Sequence, residues 1–179
     1  MPQDAGPIFD GYAQDTTVTR FVIWRPHRSR SDTEAYIAQC MATPPDVSRT
    51  YVLTDRTDGD VRGTFALRLA APHRLDCGYA LARAWWGRGL MTEVLTEVVN
   101  WALSQPLIFH IGAVCNVENI GSARVMEKAG LVREGPPGDQ AHADEKRGQG
   151  TGLGERFHGA KSGSHSTLCW RRQSERTRL

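Results

Sequence analysis

Two glycines, Gly87 and Gly89, stand between a strand-like segment and a long helical pattern, and they constrain the fold more than any other feature. A glycine pair at this spacing lets the backbone turn tightly and expose consecutive N–H groups. Apolar residues then recur at helical spacing from Leu90 to Leu103. The N–H groups in the first turn of a helix lack acceptors within that helix, so they add to those of the loop. The segment therefore predicts an anion site, with a diphosphate as its natural occupant.

This glycine pair is also compatible with a plain turn followed by a helix cap. It is not the full dinucleotide fingerprint, and no Gly-Lys-Ser/Thr follows it as a P-loop requires. The loop alone indicates an anion site without identifying the ligand.

Strand and helix patterns alternate along the chain as far as residue 135. The sequence predicts a strand over Thr16–Trp24 and a helix that begins near Ser31, which stands at capping-box spacing from Glu34. A meander of three strands follows, over Tyr51–Thr54, Val61–Leu69 and Leu75–Leu81. After the long helix come a buried strand over Leu107–Val114, a helix over Asn119–Lys128 and a strand that starts at Leu131–Arg133. This order predicts an α/β (α+β) fold with a mixed central sheet.

The two ends of the chain depart from this pattern. Residues 1–15 are rich in Gly, Pro and Asp and are interpreted as a flexible leader to a domain over residues 16–135. Residues 136–179 contain few large apolar residues and a cluster of glycines, which predicts a low-complexity tail with Ser166–Arg171 as a short strand. The tail is interpreted either as a disordered extension or as an aberrant end produced by a shifted reading frame. A shifted frame would leave an unpaired edge in the sheet.

Charge and composition exclude several classes of protein. The net charge of +2 divides into −1 for residues 1–135 and +3 for residues 136–179, which argues against a nucleic-acid-binding body. A basic tail that tethers the protein to nucleic acid or a ribosome stays an alternative. No apolar run reaches the roughly 18–20 residues that cross a bilayer, and Met1–Asp4 lacks the start of a signal peptide, so we expect a soluble cytoplasmic protein. The four cysteines lack the close pairs of a zinc site, so we expect no structural metal.

Four segments, in order, carry a resemblance to a known family. They are Trp24–His27, the strand segment Cys77–Leu81, the loop Trp86–Glu93, and the helix Asn116–Gly130 with its "N-x-x-S-x-x-V-x-E-K-x-G" pattern. Together they resemble the GCN5-related N-acetyltransferase (GNAT) superfamily and, more narrowly, its RimJ/RimL-like, ribosomal-protein-type branch. The resemblance covers roughly residues 16–135 and implies a mostly antiparallel sheet flanked by helices, with an atypical C-terminal end.

The resemblance also implies a reaction and a set of site residues. The reaction is transfer of the acetyl group of acetyl-CoA to a primary amine by direct attack, without a metal or a covalent enzyme intermediate. Asn119 would bind the pantetheine arm, and Ser122 would lie near the sulfur as a proton donor. The remaining residues implied to bind acetyl-CoA are Tyr79, Ala80 and Leu81 on the strand, and Gly87, Arg88, Gly89, Leu90, Met91 and Thr92 in the loop and helix start.

Several roles stay open at this stage. The general base is unassigned, and each candidate also has a structural interpretation. The candidates are Glu93, Glu97, Glu118, Glu134, His27, His73 and His110. Trp85 and Trp86 suit core packing as well as substrate contact. The acceptor, a protein N-terminus or a small amine, and the oligomeric state, a homodimer among others, are undetermined. The alternative function is a coenzyme A-binding module with a degraded acceptor side.

Overall fold

One mixed sheet forms the centre of the computed structural model, which describes residues 1–135 and 167–173. Its strands are β1 (Ser48–Thr54), β2 (Val61–Ala71), β3 (Arg74–Leu81), β4 (His110–Asn116), β5 (Val132–Gly135) and β6 (Thr167–Gln173). They lie in the order β1-β2-β3-β4-β6-β5. The pairing of β3 with β4 is parallel, and the other pairings are antiparallel. The predicted mixed, mostly antiparallel sheet is confirmed.

Helices cover the two faces of this sheet. They are α1 (Ala5–Ile8), α2 (Thr16–Thr19), α3 (Arg30–Ala42), α4 (Leu90–Ser104) and α5 (Ile120–Lys128), with a π-helical turn over Phe9–Ala13. The larger core lies under α4 and α5, where Leu95, Ile111 and Met126 are buried. A second core lies under α1 to α3, where the Tyr12 hydroxyl donates to Thr64 Oγ1 at 3.0 Å. A hydrophobic core therefore covers each face of the sheet.

The meander and the two long helices that follow from the sequence are confirmed. Gly59 closes the β1–β2 hairpin with a φ of +74°, a conformation that favours glycine. Helix α4 then connects β3 to β4, which is why these two strands can pair in parallel. Asn119 caps α5, because its side-chain oxygen accepts from the Ser122 amide at 3.1 Å. No helix in the described part of the chain is long and apolar enough to cross a bilayer.

The prediction of a flexible leader over residues 1–15 is wrong. This segment is helical over most of its length, and Ala5, Ile8 and Tyr12 are buried against the sheet. These residues stand three and four positions apart, so they share one face of a helix. The richness in Gly, Pro and Asp hid that spacing. The folded domain therefore includes these residues.

The predicted strand over Thr16–Trp24 is also wrong. Residues Thr16–Thr19 form the short helix α2, and turns follow it. Asp15 is the reason, because its carboxylate accepts from the Thr17 amide at 2.7 Å and so caps the first turn. This cap overrides the strand preference of β-branched residues.

Two boundaries also differ from the sequence expectation. Helix α3 begins at Arg30 instead of Ser31, because the Asp32 carboxylate accepts from the Arg28 and Ser29 amides at 2.8 and 3.3 Å. The buried strand begins at His110 instead of Leu107, whose side chain is exposed. The strand was predicted to start too early because residues 107–109 are apolar, although sheet pairing starts only at His110.

The C-terminal end of the sheet is completed by β6. The short strand predicted over Ser166–Arg171 is observed as Thr167–Gln173, which lies between β4 and β5. Trp170 on β6 is buried in the core under α4 and α5. The unpaired edge expected from a shifted reading frame is therefore not found at β4. The rest of the predicted tail, residues 136–166 and 174–179, lies outside the described residues.

Candidate active site

The site begins where β3 and β4 stop pairing. Their parallel register ends at Cys77 opposite Ala113, although β3 runs on to Leu81 and β4 to Asn116. Along this last part, β3 keeps its antiparallel partner β2 on the other side. A cavity of about 640 Å³ opens beside the end of β3. That volume is within the range of roughly 300–1,000 Å³ typical of small-molecule sites.

The cavity brings together all but one of the residues that the family resemblance implied for binding acetyl-CoA and for proton donation. The member outside the lining is Arg88. The lining includes Tyr79, Ala80, Leu81, Gly87, Gly89, Leu90, Met91, Thr92, Asn119 and Ser122. Residues from the end of β3, from the glycine loop (residues 86–89) and from the start of α5 thus form one continuous surface.

The glycine loop presents backbone to this cavity. Gly87 and Gly89 have φ values of +74° and +81°, and Gly89 is the residue that precedes α4. A Cβ atom at either position would meet no atom within 4 Å from any described residue beyond its two chain neighbours. Backbone conformation, and not packing within the protein, is therefore what favours glycine here. With the free amides and positive end of α4 beside it, the loop fits a diphosphate.

The two tryptophans differ in what they contact. The Trp86 indole N–H donates to the Leu81 carbonyl at 2.7 Å, and its half-exposed ring lines the cavity. The Trp85 ring lies under two guanidinium groups, those of Arg62 at 3.8 Å and Arg88 at 4.5 Å. These distances suit cation–π attraction. They also explain why the Arg88 side chain is directed to Trp85 and not into the cavity.

The start of α5 places Ser122 beside β3. The Ser122 Oγ lies 2.9 Å from the Tyr79 hydroxyl. Burial raises the pKa of Tyr79 well above its usual range. A small cavity of about 80 Å³ adjoins these groups and is lined in part by Cys77 and Cys115. Burial raises the pKa of Cys77 to about 12, so this thiol is neutral at physiological pH.

Two parts of the lining were missed by sequence reasoning. The first is the α2 segment, here residues 17–22, which begins in α2 and contributes Thr17 and the apolar side chains of Val18, Phe21 and Val22. The wrong strand prediction concealed it, although the Asp15 cap was a usable signal. The second is a pair of cations on α5, Arg124 and Lys128. Because they are four positions apart on a predicted helix, the sequence could have placed both side chains on the same face of that helix.

An ion pair joins the α2 segment to the loop before α5. The Arg20 guanidinium lies 2.9 Å from the Glu118 carboxylate, and both side chains are largely exposed. Glu118 lines the cavity, so it is the candidate base that the structure brings to the site. Among the described residues, no other carboxylate and no histidine lines this cavity.

The remaining candidate bases have other surroundings. Glu134 forms an ion pair with Arg171 at 3.1 Å across β5 and β6. The His27 ring nitrogen lies 2.8 Å from the Thr33 hydroxyl, and the His73 ring nitrogen lies 2.8 Å from the Leu107 carbonyl. Glu93 is exposed on α4. Within residues 1–135 and 167–173, no cluster of three His, Cys, Asp or Glu side chains could hold a metal ion.

Comparison with known families agrees with this architecture. Residues 1–132 match the family model described as "Acetyltransferase (GNAT) domain". This match covers more than half of the chain, so the chain belongs to the GNAT acetyltransferase family.

Individual relatives are more distant. The chain is 43% identical over 58 residues to the Bacillus subtilis (strain 168) protein named "Probable N-acetyltransferase YjcK", a match that covers 32% of each chain. The aligned segment thus spans about a third of that relative's length.

Solved structures are similar in fold at low identity. One is RimL, a ribosomal α-N-protein acetyltransferase in complex with coenzyme A (TM-score 0.73, 14% identity, 97% of this chain and 90% of that chain). Another is spermidine N-acetyltransferase from Vibrio cholerae, in complex with CoA and spermine (TM-score 0.68, 14% identity, 96% of this chain and 90% of that chain). Likeness at this identity concerns the fold.

Proposed function

We propose that this protein is an N-acetyltransferase that passes the acetyl group of acetyl-CoA directly to a primary amine. One observation carries the proposal: three parts of a GNAT-family chain line the same cavity. They are the glycine loop, Ser122 and the free side of β3, which is the edge beyond Cys77 where β3 no longer pairs with β4. Coenzyme A complexes of proteins with this fold, such as RimL, support the choice of donor.

The residues would divide the binding of acetyl-CoA between them. Amides from Gly87 to Thr92 would hold the diphosphate, because they combine a left-handed loop with a helix N-terminus. The backbone of Tyr79–Leu81 would bind the pantetheine arm along the side of β3 that faces the cavity. Asn119 already caps α5 with its side-chain oxygen, which leaves its amide NH₂ group as the donor to that arm.

The chemical step needs a neutral amine, a donor to the thioester oxygen and a proton for the departing sulfur. The amine attacks only when it is unprotonated, and its nitrogen sheds one further proton as the amide forms. Negative charge then develops on the thioester oxygen, which a backbone N–H from Gly78–Leu81 would stabilise. The departing sulfur takes up a proton, for which Ser122 is the donor. The proton lost by nitrogen balances the proton gained by sulfur.

The acceptor we favour is a protein N-terminal α-amino group. The cavity offers Glu118 as its carboxylate, and that group is already paired with Arg20. An amine that is already partly neutral, and so does not need a strong base to remove its proton, is therefore favoured as the acceptor. Since the ordinary pKa is about 8 for an α-amino group and about 10.4 for lysine, the neutral fraction at pH 7.5 is roughly two hundred times larger for the α-amino group. This preference agrees with the resemblance to the RimJ/RimL-like branch.

A panel of acceptors tests the proposal. Three acceptors would be compared: a peptide with a free α-amino group, the same peptide blocked at that group but carrying an internal lysine, and spermidine. Mass spectrometry would follow the loss of acetyl-CoA with each acceptor. We expect transfer to the free α-amino group to be fastest. Calorimetry in parallel would report coenzyme A binding. Binding without transfer to any acceptor would favour the non-catalytic alternative, whereas faster transfer to spermidine would assign a small-molecule acceptor.

A further inference from the structure

The Tyr79 hydroxyl is directed at Ser122. Its oxygen lies 2.9 Å from Ser122 Oγ and 3.4 Å from the Ser122 carbonyl oxygen. The two residues belong to different elements, β3 and α5, and are 43 positions apart along the chain. Both residues line the same cavity as the glycine loop, so their contact is part of the candidate site.

Each partner is held in place from another direction. The Ser122 amide donates to the Asn119 side chain at 3.1 Å, which fixes the first turn of α5. The Tyr79 ring lies nearly parallel to that of its cross-strand neighbour Phe65, with centroids 6.0 Å apart. The hydroxyl contact therefore joins two positions that are already ordered by their own elements.

Either hydroxyl can donate in this contact, and the phenol is the stronger donor. A phenol is more acidic than an aliphatic hydroxyl, and both of its acceptors here lie on Ser122. Burial keeps the pKa of Tyr79 above its usual range, so the phenol retains its proton at physiological pH. When the phenol donates to Ser122 Oγ, the serine proton must point elsewhere.

We propose that Tyr79 is a positioning residue for Ser122, whose hydroxyl proton it directs into the cavity toward the departing sulfur. This role rests on the proposed acetyl transfer. As the carbon–sulfur bond breaks, the serine proton passes to sulfur, and the proton shed by the amine nitrogen replaces it on Ser122. Because the two proton transfers occur in one step, no full charge forms on Ser122 Oγ, and Tyr79 keeps its own proton while it orients the serine hydroxyl.

Tyr79→Phe tests this role, because it removes the hydroxyl and keeps the ring on Phe65. We expect kcat to fall roughly tenfold, a part of the total contribution of a general acid. The KM for acetyl-CoA should stay within about twofold, since Tyr79 would bind the coenzyme through its backbone. The matched control is Tyr12→Phe, which also removes a buried hydroxyl that donates to another side chain, Thr64. Because Tyr12 lies in the second core, kcat should not change there.

A double-mutant cycle separates positioning from general structural support. In a Ser122→Ala background, Tyr79→Phe should have no further effect on kcat, because the group through which it acts is gone. Additive losses, or a Tyr79→Phe variant as fast as the wild type, would overturn the role while leaving acetyl transfer established. A wild-type protein inactive on every acceptor would instead overturn the proposed function, and this role with it.

Discussion

The Trp86 indole donates to the Leu81 carbonyl at 2.7 Å and so ties the glycine loop to the end of β3. These two segments form neighbouring parts of the cavity lining. Their relative position decides whether the loop amides and the free side of the strand can bind one ligand together. The bond therefore offers a direct way to perturb binding without altering either glycine.

Trp86→Phe is expected to weaken acetyl-CoA binding and to leave kcat nearly unchanged. Loss of one neutral hydrogen bond costs about 0.5–1.5 kcal/mol, which corresponds to a rise of roughly two- to tenfold in the dissociation constant. Calorimetry with coenzyme A measures it. Trp101→Phe is the control, because Trp101 is half exposed on α4 outside the cavity lining. Equal affinities for both variants and the wild type would contradict the anchoring role.

Gly89→Ala is expected to lower both stability and coenzyme affinity. Gly89 has a φ of +81°, and a left-handed conformation costs other residues about 1–2 kcal/mol. The added methyl group would also intrude where the backbone must approach phosphate. Gly59→Ala is a matched control, since Gly59 has a φ of +74° in the β1–β2 hairpin and also has open space around a Cβ. It should lose similar stability with no change in affinity. A Gly89→Ala variant with wild-type affinity would remove the diphosphate assignment.

Gly63→Ala is expected to destabilise the fold for a different reason. A Cβ atom on Gly63 would overlap the Ala80 carbonyl oxygen and lie 3.1 Å from Leu81 Cα. Relief requires β2 and β3 to separate, and such overpacking typically costs about 1–3 kcal/mol. Denaturant unfolding would measure the loss. Gly78→Ala on β3 is the control, because nothing lies within 4 Å of its Cβ position. Similar stability for the two variants would refute the steric account.

The protein should lose stability below about pH 6.5 through His27. Burial lowers the pKa of His27 below its ordinary value of about 6.5, with the nearby Asp32 acting in the opposite direction. The unfolded chain then binds the proton more readily than the folded one. The stabilising effect of neutral His27 is therefore complete above pH 6.5 and is lost as the pH falls through the folded-state pKa.

Chemical denaturation at several pH values checks this expectation. His27→Gln should be less stable than the wild type at pH 7.5, and the difference should shrink toward pH 5. Parallel stability curves for the two proteins across that range would show that His27 does not contribute.

Much of the site could be predicted because its determinants are local. The two glycines and the Asn119 cap act through their own backbone and their nearest neighbours, so short sequence patterns carry them. The Tyr79–Ser122 contact could not be predicted in this way. It depends on how closely α5 approaches β3, which packing of the whole core decides.

The N-terminal errors have a different physical origin. Residues 16–24 satisfy the composition of a strand, and the Asp15 cap that makes their first turn helical is a single hydrogen bond of 2.7 Å. Gly and Pro in residues 1–15 likewise obscured the helical spacing of Ala5, Ile8 and Tyr12. In both places, the composition of the segment favoured the wrong secondary structure, because one or a few specific contacts determine the helix that forms.

The position of β6 between β4 and β5 sets an order of events during synthesis. Strand β5 leaves the ribosome well before β6, yet it pairs with no other described strand. In the nascent chain, the edge of β4 that faces β6 and the edge of β5 that faces β6 must therefore stay without this partner until Thr167–Gln173 emerges. Only then can Asn116 pair with Thr167, about fifty positions further along the chain, in a distant contact of the kind that slows folding. Of all the described strands, the last to be made is the one that closes the sheet.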